Sequence, residues 1–167
     1  MKGIKRKRAN AAKLTSDTVE FRVASDPKLL KIIRAGIAHL CELIGFTPQQ
    51  SLQTTLAVDE ACANIIKYAY DGATDKPIIV TARMIQNGIE IILRDFGKKA
   101  VLTEIKSRDL NDIRPGGLGV HLIRSAMDVV AYDTGLKRGN QLRLAKFFVS
   151  DPASAETEKS SLVHASP

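Results

Sequence analysis

Aromatic residues are scarce in this chain: they make up 5% of it, and tryptophan is absent. Aliphatic side chains must therefore carry the packing, with strands and helices meeting through Leu, Ile and Val. Cysteine is nearly absent too. Cys41 and Cys62 both fall on apolar stripes at helical spacing and read as buried free thiols of a reducing compartment, which excludes a disulfide-stapled fold. The three histidines, His39, His121 and His164, are scattered, so no metal-ligand spacing emerges. No apolar run approaches the roughly 18 residues of a membrane-spanning helix. The basic start is not followed by an apolar segment of signal-peptide type. These absences point to a cytoplasmic protein that does not cross a membrane.

What is present is a modest core and an uneven charge. Hydrophobic residues are 44% of the 167, enough for one domain with a real core and too few residues for two. The net charge of +7 suggests nucleic acid until its distribution is read. Lys2, Lys5, Arg6, Lys7, Arg8 and Lys13 all precede the first acidic residue, Asp17. Of 25 basic residues, 19 therefore remain against 18 acidic ones. The excess belongs to a leader, read as a solvated tail over residues 1–15. No aromatic platform interleaves with it, so no direct nucleic-acid binding is expected. Residues 150–167, rich in Ser, Ala and Glu, read as a second unstructured tail. The domain is expected over 16–149.

Inside it the periodicity alternates. Val19, Phe21 and Val23 alternate with charged residues and predict a strand. Asp26-Pro27 is cap chemistry for a helix, followed by Leu30, Ile33, Ile37, Leu40, Cys41 and Ile44 at helical spacing, with Gly45 as its stop. Thr47-Pro48 opens a second helix, expected to Tyr70, with Val58, Ala61, Cys62, Ile65, Tyr68 and Ala69 as its inward stripe. Ile78 to Ile85 and Ile89 to Leu93 predict a hairpin turning at Asn87-Gly88. A loop of about twenty residues from Phe96 to Pro115 is long for a compact domain and reads as a lid or binding loop. A helix from Gly117 to Val129 and strands near Val130–Asp133 and Gln141–Val149 complete an α/β two-layer sandwich. Its sheet is expected to be mixed and mostly antiparallel, with helices on one face.

Three places can carry chemistry. Glu60 and Asn64 are one helical turn apart and share a face, which Lys67 extends. A carboxylate beside an amide carbonyl can accept a proton and ligate a hydrated Mg²⁺, although the same pair is common on solvated helices. Asp95 ends a strand and opens Asp95-Phe96-Gly97. A carboxylate there can accept from an exocyclic amine such as that of adenine, and Gly97 lets a flat ring approach; an ordinary turn is the plain alternative. Gly116-Gly117-Leu118-Gly119 opens a helix with exposed N–H groups at its positive end, suited to phosphate; a flexible hinge is the plain alternative. No third glycine completes a dinucleotide fingerprint, since Leu122 stands there, and no Gly-Lys-Ser/Thr completes a P-loop.

Taken in order, these elements resemble a known family. Glu60-Ala61-x-x-Asn64 with Ala69-Tyr70 is similar to the N box of the GHKL ATPases. Asp95-Phe96-Gly97 resembles their first glycine box, and Gly117-Leu118-Gly119-Val120-His121-Leu122-Ile123 their second. The run from Gly116 to Asp128 resembles the anti-sigma-factor serine kinases of the RsbW and SpoIIAB type, over roughly Val19 to Val149. The resemblance implies a Bergerat-type fold and ATP with Mg²⁺ as cofactors. It implies Glu60 as general base, Asn64 as metal ligand and Asp95 with Gly97 at the adenine. The backbone of Gly116, Gly117, Leu118 and Gly119 would meet the phosphates, beneath a lid from Lys98 to Pro115. It also implies phosphorylation of a serine on a STAS-type anti-anti-sigma protein, sequestration of a sigma factor, and a homodimer.

Three positions depart from the family pattern. Tyr68 stands for His, Lys99 for a second Gly, and Gly139-Asn140-Gln141 for the Gly-Thr that often begins the last long strand. The last departure is expected to weaken a phosphate contact. An alternative reading is a non-catalytic ATP- or ADP-binding regulator that grips a sigma factor or STAS partner. A histidine-kinase module would need a phosphoacceptor histidine on a dimerising helix pair, and His39 has no second domain to house it. Lid residues Arg108 and Arg114 are left open between phosphate, partner and solvent.

Overall fold

A computed structural model of the chain describes residues 17–100, 118–133 and 135–148. The two tails, Gly116, Gly117, the lid over 101–115 with Arg108 and Arg114, and Val149 lie outside them.

Five strands form one sheet in the order β1 (Thr18–Ala24), β2 (Pro77–Ile85), β3 (Gly88–Arg94), β5 (Gln141–Phe147) and β4 (Val129–Asp133). Every pairing among these strands is antiparallel. Register sets the two faces, because side chains alternate along each strand. Phe21, Val80, Leu93, Leu142 and Tyr132 form one inward row across the whole sheet. Ile78, Ile91 and Leu144 join them in the core. The opposite face carries polar ladders. Glu90, on a central strand, accepts from Arg83 at 2.5 Å and Arg143 at 2.6 Å. Burial pushes its carboxyl up, but these two guanidinium groups hold it below the usual value.

The helices cover the inward face. Asp26 accepts from the Lys28 amide and starts a short 3-10 turn, Pro27–Leu29, which leads into α1 (Leu30–Leu43). Gly45 ends it at a φ of 88°, a conformation that disfavours any side chain. Thr47 and Gln50 then cap α2 (Pro48–Asn64) reciprocally. The third helix, α3 (Leu118–Ala126), packs against the other flank of α2. α2 is therefore central, with Ala57, Val58, Ala61 and Cys62 fully inside.

Two expectations need correcting. The second helix does not run in α form to Tyr70: Ile65–Ala69 is one π-helical turn. A π turn takes up an extra residue and slips the phase of the stripe. The buried positions in and just after it are Ile66, Ala69 and Tyr70, whereas Tyr68 is 56% exposed, with the Lys67 ammonium over its ring. The β2–β3 hairpin also turns one residue early. Ile85 pairs with Gly88, leaving Gln86 and Asn87 as the loop. Gly88 is needed within the strand, because a Cβ there would run into the Lys146 carbonyl of β5.

Candidate functional site

Asp95 is the first residue beyond β3, and it is 2% exposed. Sheet pairing continues one step past the strand to hold it, with its amide bonded to the Asn140 carbonyl at 3.1 Å. Its carboxylate accepts from the Gly97 amide at 2.9 Å and from the Asn140 side-chain amide at 3.1 Å to each oxygen. Burial raises its pKa above the usual carboxylate value; the Gly97 and Asn140 hydrogen bonds and the Arg94 charge act the other way. A carboxylate can take about four hydrogen bonds. Among the described residues, Oδ2 receives only the Asn140 amide, so it retains capacity for an incoming donor.

The residues after Asp95 are fastened to the end of the central helix. The Lys98 amide bonds the Ala69 carbonyl at 2.9 Å, and Lys98 pairs with Asp71. The Phe96 amide donates to the Tyr70 hydroxyl at 2.9 Å, and that hydroxyl donates to Pro77 O at 2.6 Å. A Cβ on Gly97 would strike the Ala69 carbonyl. Gly97 was expected to make room for a flat ring; the helix end gives it a second reason to be glycine. The π turn matters here, because it is what directs Ala69 and Tyr70 toward this segment.

The third element arrives from α3. A Cβ on Gly119 would fall on the Glu60 carboxylate, so the first turn of α3 lies directly against that acid. Glu60, which meets Gly119, and Asn64 are both half-buried on α2, and Ala69, which meets Gly97, follows in the π turn. Ala69 lies nine positions beyond Glu60, and with the π turn between them this is somewhat less than the roughly 13.5 Å of nine α-helical steps. That scale suits a ligand with a flat donor at one end and negative charge at the other.

Glu60 with Gly119, and Asp95 with Gly97 and Asn140, thus form two contact groups joined by the helical stretch from Glu60 to Ala69, and Asn64 is half-buried on that stretch. Leu118 begins α3 just before Gly119, while Gly116 and Gly117 lie outside the described residues. Sequence reasoning missed three contributors. Asn140 was expected near phosphate, yet it is bonded to Asp95 at the far end of the site. Tyr70 was placed in a motif without a role. Arg94 ties the corner together, donating to the carbonyls of Asp95 at 2.6 Å, Asn140 at 2.8 Å and Arg138 at 2.7 Å while stacking on Phe96. Only the type of Asn140, with two donors and an acceptor in one short side chain, could have signalled its position.

Among the described residues no three of His, Cys, Asp and Glu converge as a metal cage, and no helix is long and apolar enough to cross a membrane. One amide oxygen on Asn64 fits Mg²⁺, which is usually held by one or two protein oxygens together with ligand phosphates. The buried acceptor of Asp95 fits the amine of adenine.

Comparisons with known proteins agree with this fold. A family model described as histidine kinase-like ATPase domain matches residues 23–146. A serine-protein kinase RsbW of Bacillus subtilis is 27% identical over 127 residues, which is 71% of this chain and 79% of that protein. RsbW of Halalkalibacterium halodurans is 27% identical over 146 residues, 81% of this chain and 86% of that protein. Among solved structures, a chain of the SiaB–SiaC complex from Pseudomonas aeruginosa superposes with a TM-score of 0.62 at 13% identity, covering 76% of this chain and 88% of that one. The RsbU and RsbW domains of a Mycobacterium tuberculosis protein give 0.55 at 16% identity, over 80% of this chain and 35% of that one. At these identities the two structures speak to the fold.

Proposed function

The chain belongs to the histidine kinase-like ATPase family, and from that premise we propose that it is an ATP-dependent serine kinase acting on a STAS-type anti-anti-sigma protein, and an anti-sigma factor that holds a sigma factor as a homodimer. The observation that carries this reading is the contact of Gly119 with the Glu60 carboxylate. It puts an acid at the tip of a helix whose positive end favours phosphate, on the same helix whose far end anchors the segment of Asp95. The RsbW relatives support the kinase class. Cytoplasmic action, as one domain over residues 16–149 with a tail at each end, belongs to the same reading.

Bound Mg²⁺ATP would supply the transferable phosphoryl group and the charge that holds it. The chain's own residues then have separable tasks. Asp95 accepts from the adenine amine, and Gly97 leaves the neighbouring backbone bare. Asn64 would offer its amide oxygen to the metal. Leu118 and Gly119, with Gly116 and Gly117 preceding them, offer backbone N–H groups to phosphate oxygens. Glu60 takes the proton from the incoming serine hydroxyl, a contribution of typically 10²–10⁴-fold.

The test is a transfer assay with labelled ATP, Mg²⁺ and a candidate STAS protein, paired with nucleotide binding by calorimetry. Wild type should bind and transfer. Glu60→Gln should bind ATP normally and lose transfer by at least about 100-fold. Asn64→Ala should lose the Mg²⁺-dependent part of binding. Equal transfer by Glu60→Gln removes Glu60 from the mechanism. Tight nucleotide binding without transfer to any retained partner would favour the non-catalytic regulator instead.

A further inference from the structure

Asn140, just before β5, holds three residues of the segment after β3 with one side chain. Its Nδ2 donates to both Asp95 oxygens at 3.1 Å and to the Lys98 carbonyl at 2.7 Å. Its Oδ1 accepts from the Ala100 amide at 2.7 Å. Only an amide offers two N–H donors and a carbonyl acceptor over so short a reach. A threonine hydroxyl has a single donor, so it could serve Asp95 or Lys98 but not both. The Asn140 backbone is equally fixed. Its carbonyl accepts from the Asp95 amide and from Arg94. The preceding Gly139, at a φ of 66°, lies so close to the Asp95 carbonyl that no Cβ would fit. The bond to the carboxylate is charge-assisted and partly buried, which strengthens it relative to a neutral surface bond.

We propose that Asn140 is a positioning residue that couples base recognition at Asp95 to residues 98–100, so that an adenine bound at Asp95 orders the start of the segment leading out of the site. The proposal rests on Asp95 as the adenine acceptor. A donor arriving at the open oxygen of Asp95 fixes the carboxylate; the carboxylate fixes the Asn140 amide; the other edge of that amide fixes Lys98 O and Ala100 N. Coupling of this kind is reciprocal, so ordering of residues 98–100 would favour adenine by the same factor.

Hydrogen exchange of the Ala100 amide tests it, in wild type, Asn140→Thr and Asn140→Ala, with and without saturating ADP. Without nucleotide, both variants should lose about tenfold of the wild-type protection at Ala100. The amides of β3 should stay protected, which separates loss of the clasp from unfolding. ADP should add protection at Ala100 in wild type and none in Asn140→Thr, although the threonine keeps a donor for Asp95. GDP, which presents an acceptor where adenine presents its amine, should add none to either. Unchanged Ala100 protection in the nucleotide-free variants overturns the clasp. An equal gain with ADP in wild type and Asn140→Thr overturns the coupling alone. Failure of the wild type to bind ADP at all sinks the adenine reading and the coupling together.

Discussion

Burial opposes the ionisation of Asp95, and the surrounding donors only partly offset it, so its pKa stays above the ordinary carboxylate value. The groups that face it are the Gly97 amide, the Asn140 amide, Arg94 from β3 and the Tyr70 hydroxyl from the end of α2. As pH falls through this raised value the carboxylate takes up a proton and the adenine amine loses its acceptor. ADP affinity should therefore decline at a higher pH than an exposed aspartate would impose. The nucleotide-free fold moves the opposite way. A pKa raised on folding contributes stability at low pH and loses it as pH rises through the folded value. Calorimetric ADP titrations across this range check the point, with Asp95→Asn as reference. The variant should bind about 100-fold more weakly and show no such decline; a parallel decline in both would assign the effect to the nucleotide. Gly119 gives a second prediction at this scale. In Gly119→Ala the new methyl displaces the Glu60 carboxylate, and a misplacement of that size costs on the order of 100-fold in transfer rate. The backbone N–H of residue 119 is kept, so ADP affinity should fall by much less than the transfer rate. Normal turnover in Gly119→Ala would show that Glu60 need not lie against the helix tip.

Between elements, the joint between the π turn and the segment after β3 decides how the site is assembled. Tyr70 is its pin, since one hydroxyl bonds both Pro77 O on β2 and the Phe96 amide. Tyr70→Phe leaves two backbone groups to find other partners and should cost about 1–3 kcal/mol. A urea midpoint lowered at constant slope would show this, together with weaker ADP binding; an unchanged midpoint would mean that the joint bears no strain on unfolding. This joint is also where the sequence was least readable. The capping signals at Asp26-Pro27 and Thr47-Pro48 are local chemistry, and the helices begin where those residues say. The alternation of Phe21 and Val23 and the apolar runs of β2 and β3 likewise predicted strands, and only the hairpin turn between β2 and β3 shifted, by one residue. The π turn has no local signature: Ile65 and Tyr68 continue the α stripe by spacing, and tertiary packing keeps Ile65 against the core, adds Ile66 and Tyr70, and turns Tyr68 out. Glu60, Asn64 and Asp95 were singled out as candidates by their types and spacing, and their roles came from the resemblance. The role of Asn140 could not be read so, because it depends on β5 lying beside β3, a contact 45 residues away in sequence.

At the scale of the molecule, the site and the core share the same helix. Cys62 lies between Glu60 and Asn64 in sequence but on the inward face of α2, and Cys41 lies opposite on α1; both are buried in one continuous core. Burial pushes the Cys41 thiol up to about 11 and the Cys62 thiol up to about 12. Since the thiolate is the reactive form, neither should react with a thiol reagent near neutral pH until the core opens. A ligand that binds only the native state stabilises it by RT ln(1 + [L]/Kd), about 2.7 kcal/mol at a hundredfold excess over Kd. If α1, α2 and the sheet open as one unit, ADP at that excess should slow the labelling of both thiols by the same factor of about 100, in the regime where opening is at equilibrium. Quantitative alkylation followed by mass spectrometry of the two cysteine peptides reads each rate separately. Protection of Cys62 without protection of Cys41 would show that α1 opens independently of the nucleotide site, and that the cooperative unit stabilised by ligand is α2 with the ends of β3 and β5 rather than the whole sandwich.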